Sequence, residues 1–351
     1  MPRARLQVAG EHDPLVPLAR QQAMVEEERR ANGAGAPGTD CGAGCTHYAG
    51  TAPVEFRVHP GKHEYTTEIA QQTVEFFRLD AAAGHGQKAA DADHAAGPKA
   101  EIVQYKSHGQ DLIAFVYKPP GDGPFPVYFW NHGVERDPGP GALLARFFVP
   151  RGYIFFAPLR SGHGPNKGPW ILDEQKAVRE PRSPEGFKKL LALYERANED
   201  TLAAYNWIAR QTYVDPKRIV VAGGGHGAVQ ALLLAERDRT EVLGIRCVVA
   251  IAPAAESWAN PHWARRLETA VATARAPIFL LQAHNDFSLG PSETLGPRID
   301  ARGGANRHKI YPDHGAAEDH VAGHAGFSGA SNVWGDDLVD FLQACGAAPG
   351  R

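Results

Sequence analysis

Short apolar runs recur through the chain after residue 110, at Leu112–Tyr117, Val127–Trp130, Tyr153–Ala157, Ile219–Ala222, Cys247–Ala252, Ile278–Ala283 and Lys309–Tyr311. Each is too short for a helix and most are rich in β-branched or aromatic residues, so they read as buried strands. Between most of the later runs lie patterns of helical period, including Asp200–Arg210 and the closing Asn332–Cys345. This alternation predicts an α/β fold, a doubly wound and mostly parallel sheet with helices on both faces. Ligands in such sheets sit at the carboxyl ends of the strands.

The first eighty residues have a different rhythm. Leu6–Ala9 and Val54–His59 read as strands, Leu18–Ala31 as a polar, Glu/Arg-rich helix, and Thr67–Leu79 as a helix with Ile69, Thr73, Phe76 and Phe77 on one side. They form a partial α/β segment too small to bury a core alone, which either packs on the rest or stays loosely ordered. Residues 81–98 mix Ala, Gly, His, Asp and Lys without apolar periodicity and end in Gly97-Pro98, the mark of a linker. The expected organisation is therefore 1–80, a linker at 81–98, and a large domain at 99–351. Within that domain Gly164–Leu193 reads as a long insertion, helical around Phe187–Tyr194, of the kind that becomes a lid.

With 351 residues, 43% of them hydrophobic, the chain has ample material for a large core. A net charge of −3 offers no polycationic surface, so nucleic acid is not an expected partner and a membrane has no electrostatic hold. No run of eighteen apolar residues exists and the opening Met-Pro-Arg-Ala-Arg-Leu lacks a secretory core, which makes the cytoplasm the expected location. Four cysteines are too few for a disulfide scaffold; Cys41 and Cys45 could pair locally or hold a metal, but no second Cys/His cluster supports a metal site. The oligomeric state is not legible.

Arg218–Gly227 reads Arg-Ile-Val-Val-Ala-Gly-Gly-Gly-His-Gly, a strand running into a sharp glycine turn and then an apolar-periodic helix from Ala228. It has the form of a nucleophile elbow, Gly-x-Ser-x-Gly, with Gly225 where serine belongs. Asp286 follows the Ile278–Ala283 strand, where a carboxylate can orient an imidazole. The loop after Lys309–Tyr311 holds His314, His320 and His324, of which His324, flanked by glycine before the last helix, is the expected general base. Asn131-His132-Gly133 follows a strand directly, and glycine there lets backbone approach a substrate oxygen.

From Leu112 onward the chain resembles the dienelactone hydrolase family of α/β-hydrolases. The resemblance rests on Tyr-Lys-Pro-Pro at Tyr117, Asn-His-Gly at Asn131, Arg-Ser-Gly-His-Gly at Arg160, Val-Asp-Pro-Lys-Arg-Ile at Val214, Ala-Pro-Ile-Phe-Leu at Ala276 and the Gly-His loop at Gly323. It implies hydrolysis of a small-molecule ester or lactone without a cofactor, with Asp286 orienting His324. Backbone amides of Gly133, Val134 and His226 would form the oxyanion hole. The nucleophile's role falls on Gly225 and is vacant. Three accounts of the vacancy stand: a pseudoenzyme that keeps its pocket for binding, a Ser-to-Gly change in a working esterase, or attack rerouted through His226, Ser161 or a water activated by His324. Trp170, Trp258 and Trp263 are candidates to line an acyl or ring pocket, with ordinary packing as the alternative. The N-terminal segment resembles the C-terminal end of polyhydroxybutyrate depolymerase and feruloyl-esterase-like hydrolases, which would make Asp13 and His63 relics of a triad.

Overall fold

The computed structural model describes residues 5–13, 17–42, 44–61 and 98–350. The proposed helix 67–79, His63 and most of the linker lie outside the described residues. Two compact units result, 1–95 and 96–351.

The smaller unit holds a four-stranded sheet of β1 (Arg5–Gly10), β2 (Thr39–Asp40), β3 (Cys45–Tyr48) and β4 (Val54–His59), in the order β1-β4-β3-β2. β1 and β4 run parallel and β3 is antiparallel to β4. The helix Leu18–Ala31 spans the residues its sequence pattern predicts. Its apolar centre is small, with Ala9, Val25, Ala34, Val54 and Phe56 buried together. Asp13 is buried. Cys41 and Cys45 form a disulfide, closing the short turn between β2 and β3.

The larger unit is built on eight strands: β5 (Glu101–Ser107), β6 (Gln110–Tyr117), β7 (Phe125–Asn131), β8 (Ile154–Pro158), β9 (Val214–Gly224), β10 (Cys247–Ile251), β11 (Ile278–Ala283) and β12 (Arg307–Tyr311). Their order is β12-β11-β10-β9-β7-β8-β6-β5, and only β6 runs antiparallel to its neighbours. All five residues of β8 and of β10 and all six of β11 are buried, as strands covered on both faces must be. One apolar layer packs between the sheet and the helices Pro184–Ile208, His226–Glu241 and Pro261–Thr273; the opposite layer includes Phe148, Phe341 and Trp334. Trp263 belongs to the first layer and is fully buried, so it lines no pocket.

One helix differs from the sequence pattern. The pattern at Asp200–Arg210, whose helix ends at Ile208, and the helical stretch near Phe187 belong to a single 25-residue helix, Pro184–Ile208, started by Ser183, whose hydroxyl accepts from the Gly186 amide at 3.1 Å. Its periodicity is broken in sequence because Asn198, Asp200 and Thr201 occupy buried positions where apolar residues would normally stand. Each has a polar partner: Asn198 donates to Gln230 Oε1 at 2.9 Å, Ser107 Oγ donates to Asp200 at 2.6 Å, and Thr201 Oγ1 donates to Asn131 Oδ1 at 3.3 Å. Among the described residues, no helix is long and apolar enough to cross a membrane.

Candidate active site

β9 delivers the chain to Gly225, which adopts φ +52° and ψ −115° before the helix His226–Glu241 begins. That backbone is strained for any residue with a Cβ and free for glycine. The Gly225 amide donates to Ile251 O at 2.9 Å, which ties the turn to β10. Two further glycines let the helix settle on the strand: a Cβ on Gly223 would collide with the Gly227 backbone, and one on Gly227 with the carbonyl of Asn131. The turn is thus a complete elbow in its main chain, without a nucleophilic side chain.

Opposite it stands His324, in the π-helical turn Ala322–Gly326. Its Nδ1 donates to Asp286 Oδ1 at 2.8 Å, and both side chains are buried. The Asp286 carboxylate also accepts from the Phe287 amide at 2.7 Å and from Gln282 Nε2 at 3.0 Å, so both of its oxygens are engaged as acceptors. Burial pulls the His324 imidazole down, but the Asp286 hydrogen bond and charge outweigh it and leave its pKa above the ordinary value. The other ring nitrogen, Nε2, lies 2.7 Å from the point a Cβ on Gly225 would occupy. His320 instead sets Nδ1 against Asn285 O at 3.0 Å, and His314 packs on the Phe327 ring; among the described residues neither hydrogen-bonds to Asp286.

The wall between them is the loop after β7. Four successive carbonyls of this loop are tied down from one direction: Arg160 Nη2 donates to His132 O at 2.9 Å and Gly133 O at 2.6 Å, Trp170 Nε1 to Val134 O at 2.8 Å, and His163 Nδ1 to Glu135 O at 2.7 Å. The amides of Gly133 and Val134 have no acceptor among the described residues. The His226 amide, first in its helix, has no intrahelical acceptor either. All three residues line one cavity. Against them stands the exposed Glu135, whose carboxylate oxygens lie 2.8 and 2.9 Å from where a Cβ on Gly133 would be, a negative charge laid over the loop.

These walls enclose a cavity of about 220 Å³, lined among others by Trp130, Gly133, Val134, Gly225, His226 and His324. Trp170 and Trp258 do not line it. Trp170 is occupied in bracing Val134, and Trp258 packs close to Gly290. The indole that does line it is Trp130, at the end of β7 and 3.6 Å from the Cβ direction of Gly224; its place at a strand's carboxyl end is the signal sequence reasoning passed over. Ser161 lines a different cavity, away from Gly225. His226 is buried against the Tyr194 ring, with Nε2 accepting from Gln230 Nε2 at 3.1 Å. That bond puts the proton on Nδ1, which has no partner among the described residues. Burial, then Arg160 and His163, hold His226 well below the usual histidine range, so it is neutral.

The comparisons agree with this architecture. Residues 192–293 match a protein-family model described as an alpha/beta hydrolase fold, a span containing the elbow and Asp286. Among solved structures, a puromycin-hydrolyzing peptidase from Mycobacterium tuberculosis superposes with a TM-score of 0.51 at 16% identity, over 71% of this chain and 40% of that one. An esterase from Pyrococcus furiosus gives 0.48 at 15% identity, over 73% of this chain and 96% of that one. A Klebsiella pneumoniae protein assigned as a dienelactone hydrolase gives 0.47 at 19% identity, over 70% and 98%. The chain spans 36% to 40% of the length of the peptidases it matches. A search of curated proteins finds no match. Sheet order, elbow and matched segment together give the unit 96–351 an α/β-hydrolase fold.

Proposed function

We propose that this chain is a dienelactone hydrolase-like α/β-hydrolase that binds a small ester or lactone at its elbow and is impaired or inactive in hydrolysis. One observation carries the reading: Gly225 holds the elbow conformation, φ +52° and ψ −115°, facing a His324 already paired with Asp286. Glycine has no hydroxyl, so no acyl-enzyme forms. In a serine hydrolase, loss of the nucleophile costs roughly 10⁶-fold in turnover and leaves about 10³- to 10⁴-fold over water. The carboxylate of Glu135 over Gly133 points the same way, because a negative charge there opposes an oxyanion. Asp286 would orient His324, and the amides of Gly133, Val134 and His226 would receive the ligand's carbonyl oxygen.

A second reading has support of its own in the intact Asp286–His324 pair, which could draw a proton from water and direct it at a bound carbonyl. The deciding experiment is p-nitrophenol release from a short-chain acyl ester by the chain itself and by its Gly225→Ser and His324→Ala variants. Background activity in the chain with a gain of several orders of magnitude for serine supports binding without turnover. Activity in the chain that His324→Ala abolishes supports the water route. No gain from serine would count against the arrangement of Asp286 and His324 altogether.

A further inference from the structure

The disulfide of the smaller unit joins Cys41 and Cys45 across a sequence separation of 4, the short end of the range, where such a bond removes least chain entropy. The turn has other ties. The Cys41 amide donates to Cys45 O at 3.2 Å, the Cys45 amide to Gly42 O at 2.8 Å and the Val58 amide to Gly44 O at 2.8 Å. Two further side chains reach the sulfurs from the sheet. Cys45 and His47 lie two residues apart on β3 and so share one of its faces, and Glu55 of β4 stands opposite His47 in register. Cys45 Sγ is 3.9 Å from Glu55 Oε2, and His47 Nδ1 is 3.3 Å from Glu55 Oε1. The ligand atoms of Cys41, Cys45 and Glu55 all lie within 4.8 Å of one another. Spacing along the chain shows only the two cysteines, because sheet pairing is what brings Glu55 to them.

We propose that, once the disulfide is reduced, this corner binds one zinc ion through Cys41 Sγ, Cys45 Sγ, His47 Nδ1 and the Glu55 carboxylate. Two thiolates, an imidazole and a carboxylate suit tetrahedral zinc by ligand type. Atoms bound to one such ion stand roughly 3.3 to 3.8 Å apart, given bonds of about 2.0 Å to nitrogen and oxygen and about 2.3 Å to sulfur. The His47–Glu55 separation already matches that spacing, the Cys45–Glu55 separation exceeds it slightly, and reduction frees Cys41 Sγ for the remaining position. Charge balances in both states. Arg57 Nη2 donates to Glu55 Oε2 at 3.0 Å, so the oxidised corner pairs one carboxylate with one guanidinium. Two thiolates then add two negative charges and zinc adds two positive ones, which leaves no uncompensated ion in a part-buried place. The exchange also balances in electrons and protons. A dithiol reductant passes two electrons and two protons to the Sγ–Sγ bond and closes into its own disulfide; zinc then displaces both thiol protons to solvent.

The test uses the full chain, reduced with a phosphine, kept free of oxygen and titrated with zinc against a chromophoric chelator, with cobalt(II) as a spectroscopic probe. The reduced chain should take up one zinc, and cobalt should give the thiolate charge-transfer band and intense visible bands of a tetrahedral site. The chain with its disulfide intact should show neither. Cys41→Ser should abolish the uptake, which also separates this site from the two free cysteines, Cys247 and Cys345. Because that change removes the disulfide as well, His47→Gln is the companion variant: it keeps both sulfurs and should weaken zinc binding at least tenfold. No uptake by the reduced chain, equal uptake by the oxidised chain, or an affinity unchanged in either variant overturns the proposal.

Discussion

The Nε2 atom of His324 stands 2.7 Å from the position a Cβ on Gly225 would take, closer than a Cβ tolerates. A serine at 225 must therefore push the imidazole back and accept a positive φ of 52°. We expect Gly225→Ser to lower the unfolding free energy by about 1–3 kcal/mol, the usual cost of such a backbone. Urea denaturation of the two proteins side by side measures it. A serine variant as stable as the parent would show that the turn is not strained.

In the Gly225→Ser background, the role of Asp286 becomes measurable. Asp286→Asn removes the negative charge beside His324 and turns one of two acceptor oxygens into a donor, which must then face either His324 Nδ1–H or Gln282 Nε2; the comparable change in a serine protease lowers kcat about 10⁴-fold. A loss smaller than tenfold would mean that His324 is oriented by other groups.

His324 must be neutral to accept a proton, and its pKa is raised above 6.5 by Asp286 against the opposing effect of burial. Esterase activity in Gly225→Ser should accordingly rise with pH through an apparent pKa above 6.5. The stability contribution has the opposite sense: protonated His324 favours the fold fully below pH 6.5, and that contribution fades as pH rises through the folded-state pKa. A rate profile already flat at pH 6.5 contradicts this assignment.

His132, His163 and His226 titrate in the other direction. Burial foremost, with Arg160 adding to it, holds all three below the ordinary histidine value, His163 at about 4. The unfolded chain binds protons near pH 6.5 that the folded chain refuses, so their stabilising effect is complete above 6.5 and is lost as pH falls toward 4. Melting temperature should drop steeply over that window, and His163→Gln should flatten the drop. A melting temperature level between pH 6.5 and 4 would show these imidazoles protonating inside the fold.

Much of this structure is legible in the sequence where burial is complete on both faces. β7 to β11 carry unbroken apolar runs because helices cover both sides of the sheet, and the N-terminal strand Val54–His59 and helix Leu18–Ala31 likewise fall where their patterns put them. Edge strands are harder. β5 leaves Ile102 66% exposed and presents Glu101, Gln104 and Lys106 outward, so no apolar run announces it. The helix Pro184–Ile208 is obscured for the reason that makes it useful: its buried polar positions fasten Gln230, Ser107, Ser161 and Asn131. At the site, motif spacing points to Gly225, Asp286 and His324. Spacing carries no information about Arg160, Trp170 and Glu135, whose parts depend on contacts between distant loops.

Residues 132–135 owe their shape to Arg160, His163 and Trp170, which reach them from the segment after β8. The elbow's wall is therefore not a property of its own few residues. Grafted alone onto another α/β scaffold, the segment would lose its form, and recombination that exchanged one of the two loops without the other would break both. The two segments form one structural unit around the cavity.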